Sequence, residues 1–180
     1  LTERNAIPGE AFTDGENIKV LLESIGKNPR FKDDKSSASS LNVTRTSKEF
    51  LKKLFEEEIP DLADGSIVIK GIARDPGNRS KISVATNNPN VDPTGACIGS
   101  DGSRIKSISN ELNKERIDIV QYYDNPYLYI AEALKPATVV GVSINEDQVV
   151  PENKSPKAIA VVKNEESRIA IGKGGINVRL

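Results

Sequence analysis

Histidine, methionine and tryptophan are absent from this 180-residue chain, and there is one cysteine, Cys97. Without histidine the commonest general base and metal ligand near neutral pH is missing, which weighs against hydrolase and zinc chemistry. A single cysteine permits neither an internal disulfide nor a cysteine-rich zinc site, and it fits a reducing compartment. On a short apolar segment Cys97 reads as a small buried hydrophobe rather than a reactive thiol. No apolar run approaches the roughly 18 residues that a membrane helix requires, and no signal peptide is legible, so a soluble, cytoplasmic chain is expected. Neither Gly-x-x-x-x-Gly-Lys-Ser/Thr nor Gly-x-Gly-x-x-Gly after a strand occurs. A nucleotide-handling enzyme with glycine-rich phosphate loops is therefore the weaker reading, and no catalytic residue, metal or cofactor is expected. Net charge is −1, so bulk charge does not announce a polyanion binder; only 151–180 is basic, with six Lys and Arg against three acids. Binding to a polyanion would have to come from locally placed cations and backbone amides.

What the chain does have is an internal repeat. Ala96-Cys97-Ile98-Gly99-Ser100-Asp101-Gly102-Ser103-Arg104-Ile105-Lys106 returns 73 residues later as Ile169-Ala170-Ile171-Gly172-Lys173-Gly174-Gly175-Ile176-Asn177-Val178-Arg179. Self-similarity in apolar, glycine and basic classes together implies one supersecondary unit used twice. Each copy sets Gly-x-x-Gly between a short apolar helical segment and a second helix. Glycine permits the tight turn and, lacking a Cβ, lets a sugar-phosphate backbone lie on bare amides at a helix start. This arrangement resembles the KH nucleic-acid-binding module, whose Gly-x-x-Gly loop clamps about four nucleotides of single strand. The candidate contacts are Gly99, Ser100, Asp101, Gly102, Arg104, Ile105 and Lys106 in the first copy. In the second they are Arg168, Ile171, Gly172, Lys173, Gly174, Gly175, Asn177, Val178 and Arg179. Lys173 stands between glycines as a mobile phosphate-pairing charge, whereas Asp101 opposes phosphate, so the second loop is expected to bind more strongly.

The surrounding elements are legible from pattern. Residues 17–25 and 41–46 read as strands, the last of a small β-barrel whose beginning precedes Leu1, with Asp33-Asp34-Lys35-Ser36-Ser37 as a solvated hairpin tip. A partly ordered N-terminal arm is the alternative. Thr46-Ser47-Lys48-Glu49 has the form of a capping box with Thr46 as cap. The helix it opens has Phe50, Leu51, Leu54 and Phe55 on one face, which read as core rather than as a base-stacking platform. Consecutive Glu56, Glu57 and Glu58 point in different directions on that helix, so they read as a solvated face rather than a metal site. A hairpin over 66–73 and 81–86 turns at Asp75-Pro76-Gly77-Asn78. Asp92-Pro93 opens the helix that reaches the first glycine loop, and Ile105, Ile108 and Leu112 stripe the next one before a strand at 116–121. Asn125-Pro126 restarts the same order, with strands at 138–144 and 157–163 joined by a longer polar connection and a helix capped by Asn164. The chain starts at Leu1 without methionine and stops soon after the second loop, so a piece of a longer protein is expected.

Two runs are distinctive: Asn88-Pro89-Asn90-Val91-Asp92-Pro93-Thr94-Gly95-Ala96-Cys97-Ile98-Gly99 and Asn110-Glu111-Leu112-Asn113-Lys114-Glu115-Arg116-Ile117-Asp118-Ile119-Val120. With Arg74-Asp75-Pro76-Gly77-Asn78-Arg79-Ser80-Lys81-Ile82 and the second glycine loop, they closely resemble the NusA family of transcription factors. The resemblance covers 45–180 well, and 1–45 less well through Ile7-Pro8-Gly9-Glu10. It implies an α+β chain: the end of an OB-type β-barrel (1–46), then two tandem KH modules of bacterial topology (47–123 and 124–180), the second incomplete. Each module would run helix, strand, strand, helix, helix, strand, and the two would pack as one extended RNA-binding surface. It also implies a monomeric, non-enzymatic elongation factor whose partners are single-stranded nascent RNA, RNA polymerase and other antitermination factors, acting in pausing, termination and antitermination. A ribosome-associated KH protein is the alternative role.

Overall fold

The computed structural model describes residues 1–2, 4–27, 39–144 and 157–180. Strand β1 (Leu21–Lys27) pairs antiparallel with β2 (Ser39–Thr44), Leu22 opposite Val43 and Ile25 opposite Leu41, with an irregularity between Leu22 and Ser24. The first strand starts four residues later than the alternation at 17–25 suggests; the expected hairpin tip at 33–37 lies outside the described residues. Arg45 ties this segment to the first helical unit. It is 3% exposed. Its guanidinium donates to Glu10 Oε1 at 2.7 Å, to Glu111 Oε1 at 2.9 Å and to the Glu111 carbonyl at 2.7 Å, and it stacks over Phe50 at 5.3 Å. Ile7 is buried in the same core as Phe50, which anchors the start of the chain to the first helical unit, while residues 11–20 are exposed.

Helix α1 (Lys48–Glu58) is capped by Ser47, not Thr46. Ser47 is extended, and its Oγ accepts from the Phe50 amide at 3.1 Å. The Thr46 amide is already turned toward Thr44 Oγ1 (3.1 Å), a local side-chain turn that takes Thr46 out of the cap position. Phe50, Leu51, Leu54 and Phe55 are all buried, as expected. Lys53 pairs with Glu56 at 2.7 Å and Lys19 with Glu57 at 2.8 Å, which occupies the acidic face with surface ion pairs.

After the short α2 (Pro60–Ala63), β3 (Val68–Asp75) and β4 (Arg79–Ala85) form the hairpin, then come α3 (Pro93–Ile98), α4 (Ser103–Glu111) and β5 (Arg116–Gln121). The sheet order is β3-β4-β5, the first pair antiparallel and the second parallel. α1, α3 and α4 lie against it, and Phe55, Ile82, Val84, Cys97, Ile108 and Leu112 form the core between. One polar group holds the rear of this unit. Glu115, fully buried, accepts from Arg74 Nε and Nη2 (both 2.9 Å), the Gly77 amide (2.9 Å) and Ser80 Oγ (2.6 Å), while Arg74 Nη1 donates to the Ser47 carbonyl at 2.7 Å.

The second unit opens with α5 (Pro126–Ala133), whose cap Asn125 accepts from the amides of Tyr127 and Leu128. β6 (Val139–Ile144) and β7 (Ala158–Val162) pair antiparallel; the connection between them is outside the described residues. Asn164 opens a single 3-10 turn over Asn164–Glu166, and the α-helical segment α6 (Ser167–Ile171) begins after it, with Ser167 Oγ donating to the Asn164 carbonyl. α7 (Ile176–Arg179) comes directly after the second glycine loop. Among the described residues no helix is long and apolar enough to cross a membrane.

Alternation along β4 sends Ser80, Ile82 and Val84 to the core and Arg79, Lys81 and Ser83 to the opposite face. That second face, which is polar, is also buried, because the second unit lies over it: Lys81 Nζ donates to the carbonyls of Ala133 (2.6 Å) and Asn177 (2.5 Å).

Candidate nucleic-acid interface

The two glycine loops have one conformation. Gly99 has φ 77° and ψ 169°, Gly172 φ 77° and ψ 166°; the pair Asp101 and Gly102 have φ 52° and 72°, their counterparts Gly174 and Gly175 φ 60° and 75°. In each, the fourth residue's amide donates to the first glycine's carbonyl, at 3.1 Å in the first loop and 3.0 Å in the second. The first glycine is required twice over. Its backbone lies in a region open essentially to glycine alone. A Cβ on Gly172 would also stand 2.9 Å from both N and Cβ of Asn177, and one on Gly99 2.8 Å from Arg104 Cγ and 3.1 Å from Arg104 N. A Cβ on Gly174 would meet nothing within 4 Å. Gly172→Ala is therefore expected to cost about 3 kcal/mol in urea unfolding and Gly174→Ala about 1 kcal/mol, since the cost of the second comes only from its left-handed backbone. Equal costs would refute the steric account.

Of the candidate contacts, Ser100, Asp101, Lys106, Arg168, Ile171, Lys173, Gly174, Val178 and Arg179 are exposed, and Gly99, Gly102, Gly172 and Gly175 are half-buried at the turns. Three candidates are placed differently from the expectation. Asn177 is 1% exposed, and its Nδ2 donates to the carbonyls of Leu134 (3.1 Å), Ile169 (3.4 Å) and Ala170 (3.0 Å). Arg104 turns its Nη1 back onto the Ala96 carbonyl at 2.5 Å, 3.7 Å from Asp61. These two residues occupy the same place in the repeat, and so do their shared acceptors, Ala96 and Ile169. Each braces its loop by satisfying an orphaned carbonyl of the preceding helix, which commits a polar side chain that would otherwise reach solvent. Ile105 packs against the core; the exposed apolar counterpart of Ile171 in the first loop is Ile98. Ile98 is legible from the repeat offset, because it superimposes on Ile171.

Electrostatics separate the loops. Around the second, Lys173, Arg168 and Arg179 are exposed and the acidic position is a glycine. At the first, Lys106 donates to the Asp101 main-chain carbonyl at 2.7 Å and Arg104 is committed to its brace, leaving the Asp101 carboxylate at the tip. Cys97, just ahead of that loop, is fully buried, and burial pushes its thiol up to about 11. It is expected to resist alkylation at pH 8 in the folded chain and to react fully in denaturant; labelling at equal rates in both would contradict the packing.

Comparison with known proteins places this architecture. A family model described as "NusA-like first KH domain" matches residues 45–122, and one described as "NusA-like second KH domain" matches 126–180. The chain belongs to the NusA family. Relatives named "Transcription termination/antitermination protein NusA" include one from Thermus thermophilus, 41% identical over 180 residues, which are 100% of this chain and 43% of that protein. Another, from Bacillus subtilis, is 37% identical over 174 residues, 97% of this chain and 43% of the relative. A third, from Helicobacter pylori, is 36% identical over 195 aligned residues, 100% of this chain and 48% of the relative. The chain thus spans under half the length of these NusA proteins. The solved structure titled "Crystal structure of APE1850" shares the fold at TM-score 0.53 and 21% identity, covering 72% of this chain and 82% of its own. Both NusA-like KH matches enclose a glycine loop, so the repeat and the family units coincide.

Proposed function

We propose that this NusA-family chain is the RNA-binding portion of a transcription elongation factor, and that its two glycine loops hold single-stranded nascent RNA. The observation that carries this reading is the pair of solvent-facing loops with one backbone conformation, each opening a helix and each inside a KH-type unit. Phosphates would lie against the glycine turns and pair with Lys173, Arg179, Arg168 and Lys106, while bases rest on Ile171, Val178 and Ile98. Gly99, Ser100, Gly102, Gly172, Gly174 and Gly175 form the backbone floor. Arg104 and Asn177 contribute by holding the loops in shape, and no residue is assigned a catalytic role.

The finer organisation belongs to the same proposal. Residues 1–46 are the closing strands of an OB-type barrel, and 47–123 and 124–180 are KH modules of the bacterial topology. The whole protein binds RNA polymerase in the cytoplasm as a monomer, promotes pausing and intrinsic termination, and takes part in antitermination. Its relatives' names support this role. The test is fluorescence titration of labelled single-stranded RNA at several salt concentrations, together with co-purification. Salt-dependent binding that Lys173→Asp weakens, with recovery on RNA polymerase, supports the proposal. Recovery on ribosomal subunits instead would move the role to the ribosome, and nucleotide hydrolysis would favour an enzyme.

A further inference from the structure

The relative placement of the two loops depends on how the second unit sits on the outer face of β4, and that contact centres on a buried cation. Lys81 is 5% exposed. Burial, with the Arg79 charge beside it, lowers its pKa to about 8, partly offset by Asp118 on β5. An ammonium is costly to remove from water unless its protons are used. Here they go to main-chain carbonyls of two separate elements of the second unit: Ala133 O at the end of α5 and Asn177 O in α7. The Ala133 carbonyl is one of the last of its helix, where backbone oxygens lack helical donors and the dipole favours a cation. Apolar packing at the contact is incomplete. A cavity of about 210 Å3 lies beside Lys81, lined from both units by residues that include Gly71, Ser83, Tyr129 and Leu180. Tyr129 of α5 also packs edge-on against Tyr122 beyond β5, with ring centroids 5.1 Å apart, and the two Lys81 bonds add the directional part of the contact.

Asn177 joins this contact to the loop. Its carbonyl accepts from Lys81, its amide braces the preceding helix, and its backbone sits where a Cβ on Gly172 would clash. We propose that Lys81 is a positioning residue that pins the second glycine loop at a set distance and angle from the first, so that one RNA strand engages both. The proposal rests on the reading of the loops as RNA-binding. Once one loop is engaged, a rigidly placed second loop meets the strand at high effective concentration, and that gain disappears when geometry is lost.

The test compares the parent chain with Lys81→Met, which keeps side-chain length and removes the donors. Two RNA probes are used, one of about six nucleotides, enough for a single loop, and one of about sixteen, enough for both. A second readout is the spin-label distance between Ser107→Cys and Lys163→Cys, both exposed positions; buried Cys97 stays unlabelled. The expected result is an unchanged affinity for the short probe, a loss of about tenfold or more for the long one, and a broadened distance distribution. An unchanged long-to-short ratio with a narrow distance distribution would overturn the assignment. Loss of short-probe binding in Lys81→Met would also overturn it, showing that Lys81 maintains the loop itself. A parent chain that binds neither probe would instead overturn the RNA-binding reading, and equal affinity for both probes would overturn joint engagement.

Discussion

Replacing Glu115 by glutamine should lower the unfolding free energy by about 3–5 kcal/mol, the largest effect expected of any single polar substitution in the first unit. The Glu115 carboxylate is fully buried and receives four donors from three places: Arg74, the Gly77 amide and Ser80. An amide in its place brings its own N–H groups against those donors and leaves the Arg74 guanidinium, itself 1% exposed, as an uncompensated buried charge. The pair joins the start of α1, the hairpin turn and the entry to β5, since Arg74 also holds the Ser47 carbonyl that precedes the helix. Removing both charges, as Arg74→Met with Glu115→Leu, should cost less than the two single changes added together, because neither partner is then stranded. Urea denaturation of the four proteins in the cycle measures this. A single-mutant cost below about 1 kcal/mol would show that water reaches the pair.

Lys173→Asp should weaken binding of single-stranded RNA about thirtyfold at low salt. Two unit charges at about 4 Å in water are worth roughly 1 kcal/mol, and reversal changes the interaction by two units, or ~2 kcal/mol. The salt dependence should also flatten, because fewer counterions are released. The complementary change is Asp101→Asn. Removing one negative charge from the first loop tip should tighten binding about fivefold, by the same ~1 kcal/mol. Asparagine is the informative substitution because Asp101 has φ 52°, a left-handed backbone that Asn tolerates and Lys does so less readily. Lys106, whose amine lies on the Asp101 carbonyl, is left in place in that variant. Titration curves that coincide for parent, Lys173→Asp and Asp101→Asn would remove both loop tips from the mechanism.

Local physics makes part of the molecule legible from its residues. Phe50, Leu51, Leu54 and Phe55 share a helical face, and burial of that face needs nothing beyond their spacing. The helix starts at Asp92-Pro93 and Asn125-Pro126 are readable because each cap bond spans two or three residues. The start of α1 differs from its expected position by one residue: Ser and Thr are adjacent candidates, and only the Thr44 contact to the Thr46 amide decides between them. Arg104 and Asn177 depart from expectation for a larger reason. Polar residues next to a glycine loop look like ligand contacts until the carbonyls they face, eight residues earlier, are in view.

Sequence by itself determined that two glycine turns in matching contexts occur 73 residues apart, because glycine opens the positive-φ torsions that such turns use. Tertiary structure alone decided which side chains at those turns meet solvent, and that the polar face of β4 is a contact between units rather than a surface. Lys81 meets Asn177 across 96 residues and Arg74 meets Glu115 across 41. A strand's alternation states that a residue lies on the second face, but what covers that face is set by packing of distant elements, which no local pattern encodes.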